Sequence, residues 1–169
     1  AALLIPDVPY ALGGLPSASP FDAAANPTAQ ACYANYTAWA ARQLAPALAS
    51  LGWSAADPGG GETPLRTLLR GSVLSTAAAL GEPSVLAQAR AYWDALVASG
   101  TPIPVDVAGL VLCSAVRNGT AEDWAEVLAR YGSAPGGDAA SKRRYLSALS
   151  CTRDRALLKA LLDIAMGTG

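Results

Sequence analysis

Between Ile103 and Tyr131 the apolar and polar positions fall into two helical patterns separated by a tight turn. Trp124, Val127, Leu128 and Tyr131 recur at i, i+3, i+4 and i+7, while Glu122, Glu126 and Arg130 lie opposite. That spacing predicts an amphipathic helix with one covered face. The preceding segment, apart from Asp106 and Arg117, is apolar nearly all round, the pattern of a helix covered on both sides. Pro104 suits a first helical position, where its missing N–H costs nothing, and Asn118-Gly119 predicts a left-handed stop. Thr120 then restarts the chain as an N-cap, with Asp123 three residues on as the acidic half of a capping-box-like pair.

The same punctuation recurs along the chain. Asn26-Pro27 opens a helical pattern that runs to Leu51, with a kink expected at Pro46 and a stop at Gly52. Pro58 to Gly61 reads as a loop; its three glycines lack the Lys-Ser/Thr and the preceding strand that a phosphate cradle requires. Thr63-Pro64 opens the next helix, carrying Leu65, Leu68, Leu69 and the run from Ser72 to Leu80, and Gly81 closes it. Pro83 opens another, with Leu86, Ala89, Trp93 and Leu96/Val97 on one face, ending at Gly100. Asp138 is an N-cap for a helix to about Ser150, and a last helix from about Arg153 puts Leu157, Leu158, Leu161 and Ile164/Ala165 on one side. Gly52, Gly81, Gly100, Gly119, Gly132 and Gly167 are each placed to close a helix, and nothing reads as a strand. Short connections between antiparallel neighbours predict an all-α fold of about seven helices, an alpha-solenoid of paired helices of the HEAT or armadillo kind over residues 27–169. Residues 1–26, rich in Pro, Gly, Ala and Ser, have no such period and read as a linker, or as a strap held down by Leu3, Leu4, Ile5, Tyr10, Leu12 and Phe21.

Composition narrows the chemistry. The 169 residues are 52% hydrophobic and carry a formal net charge of -1 with no basic tract, which argues against a nucleic-acid partner. The longest apolar runs are broken well short of the ~20 residues of a membrane span, so no transmembrane segment is expected within the chain. The start of the chain lacks the charged n-region and cleavage pattern of a signal peptide, so a secreted protein would carry that segment upstream or have lost it. There is no histidine. That removes H-E-x-x-H zinc sites, Ser-His-Asp and Cys-His nucleophile systems and imidazole acid–base chemistry. Cys32, Cys113 and Cys151 are too few and too scattered for a structural zinc site. No catalytic and no metal-binding residue is therefore assigned.

Four patterns invite a sharper reading. Glu122 and Glu126, at i and i+4, have the residue types of a carboxylate acid–base pair, but on an amphipathic helix they are its wet face. Lys142, Arg143, Arg144, Arg153 and Arg155 bracket the junction of the last two helices; guanidinium groups there suit a carboxylate or phosphate, against the plainer reading of solvated surface. Trp39, Trp53, Trp93 and Trp124 each sit at helical spacing with Leu or Val and are expected in core packing rather than in a stacking platform. Asn35-Tyr36-Thr37 and Asn118-Gly119-Thr120 are N-glycosylation triplets, with Asn118 better placed at a helix end.

The order of L-G-W at 51–53, Glu62, L-L-R at 68–70, L-G at 80–81, Trp93, I-P-V-D-V at 103–107, R-N-G at 117–119, Trp124, R-Y at 130–131, A-L-S-C at 148–151 and L-L-K-A-L-L-D at 157–163 resembles the C-terminal helical domain of zinc aminopeptidases of the aminopeptidase N and endoplasmic-reticulum aminopeptidase type. The resemblance covers about Ala31 to Ala165. It implies a helical array that caps a separate catalytic domain of the same parent protein and shapes the access of peptide substrates. Zinc and the proton-transfer residues would belong to that other domain, with no cofactor here. It also implies a secreted or membrane-bound parent in the secretory pathway, a fragment of whose C-terminal domain this chain would be, since that domain continues through further helices. On this reading Arg143, Arg144, Arg153 and Arg155 would face the C-terminal part of a peptide. The resemblance pairs Cys113 with Cys151 and leaves Cys32 free; two buried thiols remain the alternative. A different class of function, an extracellular solenoid used as an interaction module without peptidase activity, is also compatible with these residues.

Overall fold

The computed structural model describes residues 27–53 and 63–167, without the side chains of residues 27–30. The strap expected at residues 1–26 and the loop at Pro58–Gly61 lie outside the described residues. Seven helices are present among those described, with no strand: α1 Pro27–Leu51, α2 Pro64–Ala79, α3 Pro83–Ser99, α4 Ala108–Asn118, α5 Ala121–Ser133, α6 Ala139–Leu149 and α7 Arg155–Ala165. The chain divides into two compact units, with the boundary along the sequence between Val85 and Leu86, inside the first turn of α3.

In the first unit α1 packs on α2. Thr63 caps α2, its hydroxyl accepting from the Arg66 N–H, and Pro64 takes the first helical position. Val73, Leu74 and Ala77 are buried on α2 with Ala40 and Leu51 on α1. Arg70 sits with them at 1% exposure, and its Nε donates to the Leu51 carbonyl at 3.1 Å. A guanidinium there satisfies an acceptor that the end of α1 leaves without an intrahelical partner. The leucines at the start of α2 lie at the surface: Leu65 is 75% exposed, and Leu68 and Leu69 are exposed as well.

In the second unit α4, α5 and α6 pack against one another. The nearly all-apolar α4 buries Ala108, Val111, Leu112, Ser114, Ala115 and Val116, which occupy most of its circumference. Trp124 and Val127 come from α5, Ala148 and Leu149 from α6, and Ala89 and Trp93 from α3. Burying an indole strands its N–H unless an acceptor is found; Trp124 Nε1 donates to the Leu149 carbonyl at 3.3 Å. The last helix, α7, has no buried residue, and Leu162, Ile164 and Met166 are exposed.

Several local expectations are corrected. Pro104 does not begin a helix: the Val107 N–H closes a turn onto the Pro104 carbonyl at 3.1 Å, and α4 starts at Ala108. That turn leaves Val105 at the surface while taking Val107 to full burial, so the core selects the later start. Gly52, Gly81, Gly100 and Gly167 have the expected positive φ, whereas Gly132 lies inside α5, which continues to Ser133. Gly119 has φ -95° and an extended ψ, so its role is not a left-handed stop. Trp39 is half exposed, its ring 6.1 Å from that of Tyr36, and only Trp93 and Trp124 are among the buried residues.

Candidate functional site

The junction of α4 and α5 is built around Asp123. Thr120 is the N-cap of α5, and the capping box is complete: the Asp123 N–H reaches Thr120 Oγ1 at 3.5 Å while the Thr120 N–H donates to Asp123 Oδ2 at 2.9 Å. The same carboxylate reaches α3. Arg90 Nη1 donates to Oδ2 at 2.7 Å and Trp93 Nε1 to Oδ1 at 2.6 Å. Burial pushes the Asp123 pKa up, but the hydrogen bonds from Arg90, the Thr120 N–H and Trp93, with the charge of Arg90, outweigh it and hold the carboxyl below its usual range. Arg90 is raised, first by its hydrogen bond to Asp123, and also pairs with Asp94 at 2.8 Å.

Arg130 does not face away as the helical wheel suggested. Its Nε bonds Glu126 at 2.8 Å, its Nη2 reaches the Leu96 carbonyl at 3.5 Å, and its guanidinium carbon lies 6.0 Å from the Trp93 ring centroid. Long side chains lay their stems and planar heads over apolar rings while keeping polar contacts at the rim. Glu122 is exposed, and its carboxyl is held below the usual range by the Thr120 hydroxyl. A general acid needs the opposite shift, so Glu122 has no such character, and Glu126 is tied to Arg130 at 2.8 Å.

Gly119 is required by space. A Cβ added there would fall on the Ala115 carbonyl oxygen and on Asp123 Oδ2. Neither can move freely, because one is helix backbone and the other accepts from Arg90 and the Thr120 N–H, while Trp93 holds the second oxygen of the same carboxylate. Gly119→Ala should therefore lower stability by about 1–3 kcal/mol, read as a lower urea midpoint with unchanged slope. Beside this glycine lies a recess of about 160 Å³ lined by Leu86, Arg90, Ser114, Ala115, Asn118 and Gly119.

The other candidate residues are distributed as follows. Cys113 on α4 and Cys151 just after α6 are joined, with Cα atoms 5.4 Å apart, and Cys32 is an exposed free thiol. Asn35 and Asn118 are both exposed, Asn35 within α1 and Asn118 at the end of α4. Arg143 and Arg144 lie on α6, Arg153 in the connection that follows, and Arg155 at the first residue of α7. Arg143, Arg153 and Arg155 are exposed and Arg144 is half-buried. Arg144 contributes its charge to the stabilisation of Asp138, the N-cap of α6, whose carboxyl is lowered chiefly by its hydrogen bond with Ser141. Among the described residues no group of three or more His, Cys, Asp or Glu side chains is placed to hold a metal, and no helix is long and apolar enough to cross a membrane.

These features define an all-helical domain with one disulfide and a buried carboxylate that joins α3 to the start of α5. Residues 14–169 match the ERAP1-like C-terminal domain, and the chain belongs to that family. It is the C-terminal domain family of ERAP1-like aminopeptidases, in agreement with the resemblance of the sequence motifs. No curated protein matches the chain.

The sequence reading missed the inward role of Asp123. Arg90 and Trp93 are at i and i+3 and so share one face of α3. A buried tryptophan beside an arginine on one helix face asks for an acceptor, and Asp123 is the carboxylate that supplies it.

Proposed function

We propose that the chain is the non-catalytic C-terminal domain, or part of it, of a zinc aminopeptidase of the secretory pathway or cell surface, where it caps the catalytic domain and shapes peptide access. The observation that carries this reading is the family match across residues 14–169. The residues of this chain do not fit a zinc site: it has no imidazole and no clustered carboxylates or thiolates among the described residues. Metal and proton-transfer groups would come from the catalytic domain of the parent. The disulfide fits an oxidising compartment. Peptide length and C-terminus would be sensed by Arg143, Arg144, Arg153 and Arg155, whose guanidinium groups suit a carboxylate.

The test is made in the full-length parent. Reversing charge at Arg153 and Arg155 should change the preference for peptide length or C-terminus by severalfold while leaving hydrolysis of a dipeptide-sized substrate nearly untouched, because only remote binding is lost. Equal losses on long and short substrates would remove these residues from peptide contact. A parent whose upstream coding sequence lacks H-E-x-x-H would turn the reading to a solenoid interaction module instead.

A further inference from the structure

We infer that Asn118 carries an N-linked glycan whose first sugar seats in the recess between α3 and α4. The inference rests on the secretory placement proposed above. Asn118-Gly119-Thr120 supplies the acceptor triplet, and Asn118 is exposed at the last residue of α4. Its Nδ2 donates one hydrogen to Ser114 Oγ at 3.3 Å. An amide nitrogen has two hydrogens, so this contact orients the side chain and leaves the second for substitution. In the transfer, the anomeric C1–O bond of a lipid-diphosphate-linked oligosaccharide breaks as C1 bonds Nδ2. The amide gives up one proton, and the lipid diphosphate leaves with the C1–O electron pair.

The occupant of the recess is then decided by tethering. Asn118 is itself one of its walls, so a sugar on Nδ2 is delivered to the mouth at high effective concentration. Leu86 and Ala115 offer an apolar surface for a pyranose face, while Arg90 and the Ser114 hydroxyl supply polar groups for its hydroxyl and acetamido substituents. Asn35 differs in setting: it lies within α1, and the Thr37 hydroxyl of its triplet donates to the Ala34 carbonyl at 2.9 Å.

The experiment uses the full-length parent secreted from eukaryotic cells, in an Asn35→Gln background. Glycopeptide mapping should find Asn118 occupied, and Asn118→Gln should abolish that glycan; Thr120→Ala is avoided because it also removes the cap of α5. Endoglycosidase trimming to one N-acetylglucosamine should leave amide exchange across Gly119–Asp123 about tenfold slower than in protein made with lipid-linked donor synthesis inhibited. Occupancy without slower exchange overturns the seating. An unmodified Asn118 in secreted protein whose Cys113 and Cys151 are linked overturns the whole inference and leaves the proposed function standing. Retention in a reducing compartment, with both thiols free, overturns the two together.

Discussion

Replacing Cys113 and Cys151 together by alanine should destabilise the second unit by about 4 kcal/mol. The bond closes a loop with a sequence separation of 38 that contains all of α5, so its removal restores to the unfolded chain the freedom that cross-linking takes away. It joins α4 to the end of α6, two helices that already pack directly, so the folded state needs little rearrangement when the bond is lost. Both cysteines are only partly exposed, and alanine avoids placing hydroxyls there without partners. Against the 5–15 kcal/mol that typically separates folded from unfolded domains, such a loss decides whether the unit persists at physiological temperature. The measurement is the denaturant midpoint of wild type and double variant, each with and without reductant. Reductant should shift the wild type toward the variant and leave the variant where it is. A wild type indifferent to reductant, with all three cysteines alkylated in denaturant alone, would show that the bond does not form.

Much of the fold was legible because helix punctuation is local. Thr63-Pro64, the Thr120 and Asp123 pair, Asp138 and four of the six glycines act within one turn of the chain, and each occupies its expected place. Where the reading failed, the deciding contact came from elsewhere. Pro104 has the chemistry of a helix start, yet full burial of Val107 makes a turn of residues 104–107 and delays α4. Gly119 is a glycine because α5 brings Asp123 against it, which no local propensity reports. Arg130 falls on the polar side of its own helical wheel, but Trp93 and Leu96 of α3 stand beside it. Trp39 has the same spacing with apolar neighbours as Trp93 and nonetheless stays half exposed. The family, in contrast, was readable from the order of short motifs, none of them diagnostic alone, and the disulfide followed from that resemblance.

Asp123→Ala should cost the second unit about 2–4 kcal/mol, through two separable losses. The larger is at Trp93: its ring is 1% exposed, and its Nε1–H would lose its acceptor in a place that water reaches poorly. A buried donor left unsatisfied costs about 1–3 kcal/mol. The smaller is the cap of α5, where the Thr120 N–H loses its partner at about 1 kcal/mol. Arg90 contributes less than a buried ion would, because half of its side chain is in solvent and Asp94 still holds it at 2.8 Å. The wild-type carboxylate also makes stability depend on pH. Its folded pKa lies below its unfolded value, so its contribution is fully present above the ordinary carboxylate range and is lost as pH falls through the folded pKa. Denaturant midpoints measured from pH 7 down into the acid range should therefore fall more steeply for wild type than for Asp123→Ala, and the gap should narrow without closing, because the protonated carboxyl keeps a carbonyl oxygen for the Trp93 hydrogen. Asp123→Asn separates the charge from the acceptor: its amide oxygen can still take the Trp93 hydrogen, so it should recover part of the stability and none of this titration. Parallel acid profiles for wild type and Asp123→Ala would show that another carboxylate governs the loss.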